Sequence, residues 1–366
     1  MFLIDKCSIV MKALALVAAA ANGHLSVVRL LPADDFGVGS GKAIREAASN
    51  GHVDVVAFFF ERSTLIRDVN AATVLEKAIC GGHHRLVQYV LDSADEKGWL
   101  LVHTLTYAVL TGRLDTVRLL IERADRTTLF CALVKSSRTG QTDAVELLVM
   151  ACGASGFDAS SDDGLMSIYF GEALSNAAKE NRADLVNIFV RKASSASVER
   201  AMIQATVCGF AQVVKVLLET GACGKWHIYH ALAVASENGC SEVVATLLET
   251  PTQDFSYNPP DCSGLDAMRS SLLKAVMFGH TEVVLQVLLK YESYSSEVAE
   301  EFHGAGDCLV QPIDSSSIRE AIKTTGSRAC PSILKLLPRK KSDSHYHDGG
   351  LKKIKAGDLV NDVQWL

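Results

Sequence analysis

Four stretches of this chain carry side chains that could do chemistry or recognition, and the first three each lack a part the chemistry needs. Residues 34–42, DDFGVGSGK, run a D-F-G triplet into a glycine-rich loop ending in Lys42. A loop that cradles phosphate needs a glycine five residues before its Gly-Lys pair and a hydroxyl directly after it. Phe36 and Ala43 occupy those places and no strand leads in, so the stretch reads as a flexible connector. Cys223, His227 and His230 are spaced loosely as metal ligands, and His345 with His347 make a second pair. Neither set reaches the four ligands of a closed site. The fourth stretch is basic: Arg339, Lys340 and Lys341 are followed, after ten residues, by Lys352, Lys353 and Lys355, the spacing of a bipartite nuclear-import signal. No nucleophile, base and orienting group fall into a catalytic arrangement anywhere. The chain is therefore not expected to be an enzyme, and no catalytic, metal or cofactor residue is assigned.

Composition narrows the remaining classes. The 366 residues carry a net charge of -6, and the segment from Pro338 to Leu366 is +2 while the rest is -8. General nucleic-acid affinity needs a basic face, so nucleic acid is not an expected partner. Ten cysteines without a C-x-x-C pair fit free thiols in a reducing compartment. No uncharged apolar run reaches the roughly 18 residues of a membrane span. Residues 11–21, MKALALVAAAA, have the charged start and apolar stretch of a signal peptide. They also fill the first copy of an internal repeat, which a cleaved segment has no reason to do. Cytoplasm is thus the expected location, with nuclear import second and secretion behind both.

That repeat is what must position any functional side chain. A frame recurs nine times around Gly23, Gly51, Gly82, Gly112, Gly140, Asn181, Gly209, Gly239 and Gly279. Counting from this pivot, position -7 holds Leu, Ile or Met, position -4 holds Ala in eight copies and Ser136 in one, and position +5 is always Val. Apolar residues before the pivot sit on one face of a short helix, and those at +4, +5, +8 and +9 make the face of a second. The pivot is expected to end the first helix in the left-handed conformation, which glycine adopts freely and asparagine tolerates. Position +3 is acidic in six copies, Asp54, Asp115, Asp143, Asp184, Glu242 and Glu282, which suits the first turn of the second helix. His24, His52, His83 and His280 follow the pivot directly and are read as structural.

The segments ALALVAAAANGHLSVVRLL (13–31), AIREAASNGHVDVVAFFF (43–60) and LLKAVMFGHTEVVLQVLL (272–289) resemble the ankyrin repeat over most of residues 13–290. The T-P-L-H opening of that family is missing, and pivot spacings of 28–31 residues fall short of the family's usual ~33. The resemblance implies an all-α fold, an α-solenoid of about nine to ten ankyrin-like helix-turn-helix repeats with reduced or absent β-hairpin fingers. Its division would be a lead-in over 1–12, repeats one to five over 13–150, repeats six to eight over 173–250, repeat nine over 271–290 and a degenerate tenth over 318–337. Loop insertions fill 151–172, 251–270 and 291–317, where Gly, Ser, Pro and Asp cluster as in DASSDDG and YNPPDCSG. A basic tail over 338–366 completes it.

The implied function is a scaffold or adaptor, with another protein as partner, no small-molecule substrate and a monomeric chain. The alternative is a secreted or nuclear-imported effector using the same repeat surface. Partner contacts are expected at the solvent-facing positions -5, -2 and -1 of the first helices: Glu46, Asn50, Lys77, Tyr107, Thr111, Lys135, Arg138, Asn176, Glu180, Gln204, Asn238 and Lys274. Tyr107, Lys135 and Arg138, an aromatic beside two cations in adjacent repeats, form the expected hot spot.

Overall fold

The computed structural model describes residues 8–31, 39–62, 64–94, 97–154, 163–249 and 263–301. These residues are all-α, with eighteen α-helices and no strand among them. The helices alternate between two layers. The first layer holds α1 (Ile9–Ala21), α3 (Ser40–Ser49), α5 (Thr64–Gly81), α7 (Lys97–Leu110), α9 (Arg126–Ser136), α11 (Asp163–Lys179), α13 (Ser195–Val207), α15 (Lys225–Asn238) and α17 (Ser263–Phe278). The second holds α2 (Leu25–Leu30), α4 (Val53–Arg62), α6 (His84–Ser93), α8 (Leu114–Ile121), α10 (Thr142–Ala154), α12 (Ala183–Phe189), α14 (Ala211–Glu219), α16 (Ser241–Glu249) and α18 (Thr281–Glu301).

Each first helix packs on the first helix of the next pair, from α1 on α3 through to α15 on α17, and second helices such as α8, α10, α12 and α14 stack beside them. The frame explains this contact order. Ala47, Ala78, Ala108, Ala177, Ala205, Ala235 and Ala275 at position -4 are wholly buried, and a methyl group lets neighbouring first helices approach closely. Leucines at -7 and valines at +5 are buried beside them and join one continuous core.

Eight of the nine pivots are left-handed, with φ between +68° and +80° at the glycines and +55° at Asn181. The chain then closes the first helix twice: Gly51 N–H donates to the Ala48 carbonyl at 3.2 Å and His52 N–H to the Ala47 carbonyl at 2.9 Å, and the other left-handed pivots repeat the pair except Gly239, whose N–H and that of Cys240 both donate to the Ala235 carbonyl. Gly140 departs from the expectation, since its φ is not positive. Ser136 replaces alanine there, its hydroxyl donates to the Ala132 carbonyl at 2.7 Å, and Gly140 N–H donates to the Ser136 carbonyl at 2.7 Å. The neighbouring Gln141 N–H crosses instead to the Val109 carbonyl of the preceding pair, at 3.3 Å.

Several expected boundaries move. Residues 9–12, taken as lead-in, are the first turn of α1. Of the segments taken as loop insertions, 163–172 belongs to α11, 263–270 to α17 and 291–301 to α18. Polar and glycine residues such as Asp163, Gly164 and Ser263, Gly264 start these helices rather than interrupt them, in keeping with their preference for helix N-termini. Residues 39–42 of the glycine-rich stretch are likewise a left-handed Gly39, φ +107°, leading into the first turn of α3. The connectors that are described, such as the four residues between Ile121 and Arg126, contain no hairpin strand. Residues 11–21 lie within α1, where Leu16, Ala19 and Ala20 are buried. No helix among the described residues is long and apolar enough to cross a membrane. The degenerate tenth copy, the basic clusters at Arg339, Lys340, Lys341, Lys352, Lys353 and Lys355, and His345 and His347 lie outside the described residues.

Candidate functional site

At five of the nine pivots the side chain of the next residue bridges to the preceding first helix. His52 Nε2–H donates to the Ala21 carbonyl at 3.0 Å, His83 to Ser49 at 2.8 Å and His280 to Glu237 at 3.0 Å. In every case the acceptor is a carbonyl at the open C-terminal end of the preceding first helix, a group that helix cannot satisfy itself. Arg113 makes the same bridge to the Cys80 carbonyl, and Arg182 reaches the Gly140 carbonyl at 3.0 Å. The bridging residue is also the N-cap of its own second helix, yet His83, Arg113 and Arg182 give that helix no side-chain cap. After Arg113 and Arg182 the acidic residue at +3, Asp115 or Asp184, supplies negative charge in the first turn, while the helix after His83 has none. The outcome is a row of first-helix ends fixed edge to edge.

All twelve expected partner residues fall on first helices or their C-terminal turns, and none is buried. They are not equally available. Asn50 and Asn238 donate back to the Glu46 and Val234 carbonyls, at 3.0 and 2.8 Å, and Thr111 to the Tyr107 carbonyl at 2.9 Å, so position -1 caps its own helix. Lys274 pairs with Glu237 at 2.8 Å, and Asn176 Nδ2 reaches the Ser137 hydroxyl at 3.3 Å. Glu46 and Gln204 are half-buried, and Lys77 is exposed.

The expected hot spot is split between neighbours. Tyr107 leans toward α5, its hydroxyl 3.2 Å from Cys80 Sγ, and that hydrogen bond, followed by burial, raises the phenol pKa to about 12. Arg138 turns the other way and pairs with Glu180, just past the end of α11, at 3.3 Å. Lys135, between them, is exposed.

Two further positions on the same face escape the frame. Because first helices such as α7 and α15 begin well before position -7, the stripe continues one turn at a time to -9 and -13. On α7 it forms a column, Trp99, His103 and Tyr107, with successive ring centroids 6.5 Å apart, and His103 Nε2 lies 3.1 Å from Glu76 Oε1. Trp99, Ile168 and Trp226, all at -13, are 53–69 % exposed. Extending the i, i+4 spacing back from Tyr107 would have found Trp99 and His103 in the sequence.

A scan of family models finds no match to the chain, and a search of curated proteins finds none.

The candidate metal cluster does not assemble. The Cys223 thiol donates to the Leu217 carbonyl at 3.4 Å, and burial pushes its pKa up to about 12. His227 Nδ1 accepts from Gly224 N–H at 2.9 Å, which leaves the proton on Nε2, 3.9 Å from Glu199. A metal on Nε2 would force that proton to Nδ1 and break the cap. His230 Nδ1 lies 3.4 Å from the same carboxylate. Among the described residues no group of three or more His, Cys, Asp or Glu could hold a metal ion.

Proposed function

We propose that this chain is a non-catalytic scaffold or adaptor that holds another protein on the exposed face of its first helices, and that its helix pairs are divergent ankyrin-like repeats stacked as a solenoid. One observation carries the reading: positions -13, -9 and -5 of successive first helices present a stripe that mixes Trp99, Tyr107 and Trp226 with Lys135 and Arg200. Aromatic and cationic side chains carried on one face have the composition of protein-binding hot spots. The pairs that cap their own helix at -1 support the surface rather than contact a partner.

Affinity capture with the full chain, compared with Tyr107→Ala and Arg138→Glu variants of unchanged circular dichroism, tests the placement. Specific partners should be lost with the variants, and Trp99→Ala should behave alike. Recovery of the same partners by all three would reject this face.

The basic clusters favour a second reading in which the same surface acts in the nucleus. A tagged full-length chain should then accumulate there, and do so no longer after Lys352, Lys353 and Lys355 are changed to alanine. A cytoplasmic signal in the unaltered chain would remove that reading.

A further inference from the structure

The first-helix face is not uniform: between α11 and α13 it carries a polar-lined groove of about 500 Å³. Its floor is stapled at two points. A Cβ added to Gly171 would lie 2.2 Å from Ser197 Oγ, so the helices touch there. Two turns along α13, Ser175 Oγ donates to Gln204 Oε1 at 3.1 Å, which leaves both hydrogens of the Gln204 amide for a ligand. Lys179 stands on one wall and Arg200 on the other, both exposed, and neither forms an ion pair with a described residue. Glu172 is the one carboxylate in the lining. The groove thus carries one net positive charge, in a chain of net charge -6.

Resting on the protein-binding reading above, we propose that this groove receives an acidic segment of the partner, a run of carboxylate side chains clasped between Lys179 and Arg200 with Gln204 donating from the floor. An ammonium and a guanidinium on opposite walls match oxyanions spaced along an extended chain, and Arg200 can bind a carboxylate through two parallel N–H groups. The stapled floor holds these donors in place before binding, which lowers the ordering cost. A small-molecule ligand fits less well. Sites for such ligands are lined mostly by apolar and aromatic side chains, whereas serine, amide and charged side chains line most of this groove.

The test is fluorescence anisotropy with the full chain and a fluorescein-labelled Glu-rich peptide, with a Gln-rich peptide of equal length beside it. The Glu-rich peptide should bind and the Gln-rich one should not. Lys179→Glu and Arg200→Glu should each weaken binding by about tenfold or more, mainly through faster dissociation. Glu172→Gln should strengthen it two- to threefold, roughly the effect of removing one exposed like charge. Lys215→Glu, which changes charge equally on α14 of the second layer, should leave affinity unchanged. Equal binding of the two peptides, indifference to Lys179→Glu and Arg200→Glu, or an equal loss with Lys215→Glu would each overturn the groove. A flat titration with Tyr107-dependent capture intact would overturn the groove and leave the protein-binding face standing. A peptide that binds as described, with capture indifferent to Tyr107→Ala and Arg138→Glu, would do the reverse.

Discussion

The junction at Gly51 and the junction at Gly140 have the same frame in sequence and different physical reasons for their glycine. At Gly51 the backbone is left-handed, φ +75°, and the ring of His83 from the next pair lies over it, so that an added Cβ would meet Nδ1 at 2.5 Å. Left-handed backbone and cross-pair ring both exclude a side chain. At Gly140 the φ is ordinary, but an added Cβ would lie 2.5 Å from the Ser136 carbonyl oxygen and 2.8 Å from Val145 Cγ2. There the requirement is close approach alone. The bridge to the next pair differs as well: an imidazole at the first junction, and at the second the Arg182 guanidinium, which also pairs with Asp184 at 2.7 Å. A recurring glycine is therefore one letter with at least two meanings, and the neighbours decide which.

Substitution separates the two meanings. Gly51→Ala should have the largest effect, about 2–4 kcal/mol, because the left-handed penalty of ~1–2 kcal/mol adds to displacement of His83 and its hydrogen bond to Ser49. Gly140→Ala should cost about 1–3 kcal/mol through overpacking against backbone. Gly82 calibrates both, since its φ is +72° and nothing lies within 4 Å of an added Cβ. Gly82→Ala should cost only the backbone part, about 1–2 kcal/mol. Asparagine then tells the cases apart. Gly82→Asn should recover much of the loss, as Asn181 shows is possible, while Gly140→Asn should not. Urea midpoints for the five variants provide the ranking. Equal losses at Gly82 and Gly51 would mean that the His83 ring contributes nothing.

The charged bridge should show in pH. The Arg182 guanidinium and the Thr142 hydroxyl, 2.5 Å away, hold the Asp184 carboxyl well below the usual carboxylate range. A carboxyl depressed in the folded state stabilises fully above its unfolded pKa, near 4, and loses that contribution as pH falls toward the folded value. Stability followed by circular dichroism from about pH 6 down to about pH 2 should therefore decline, and Asp184→Asn should flatten the acid limb. Because Asp184 is exposed, the effect is expected to be smaller than that of Gly51→Ala. An unchanged acid limb in the variant would show that this bridge is replaceable by solvent.

Much of the architecture was legible in the residues. Glycine recurrence, alanine at -4 and valine at +5 specify helix pairs and their corners, and the single asparagine is left-handed as its side chain permits. Gly140 was not legible, because the frame cannot show that Ser136 bonds its own helix while Gln141 donates across to Val109. The helices over 163–172 and 263–270 were hidden by their polar, glycine-bearing starts, although Met166, Phe170 and Met268 carry helical spacing into the core. At the candidate face, residues at -5 and -2 were found because they border the frame. Trp99, Trp226 and Arg200 lie beyond it and were missed. Side-chain commitments such as Arg138 with Glu180 depend on neighbours 42 residues apart and leave no local trace.

The smallest predicted effect is also a contrast within one register. Position -3 holds Ser137 in the fifth pair and Ser236 in the eighth, both wholly buried. Ser137 Oγ donates to the Val134 carbonyl at 2.7 Å and accepts from Asn176 at 3.3 Å, whereas Ser236 Oγ has no hydrogen-bond partner. Removing a satisfied hydroxyl strands its partner; removing an unsatisfied one relieves a desolvated group. Ser137→Ala should thus destabilise by about 1 kcal/mol, and Ser236→Ala should stabilise by a comparable or smaller amount. Thr206, at the same position in the seventh pair and also without a partner, should follow Ser236 when changed to the similarly shaped valine. Opposite signs at Ser137 and Ser236 in urea titrations would establish that partners across the stack, rather than the register itself, set the energetics. Loss of stability at both would place a hydrogen bond on Ser236 and equalise the two junctions.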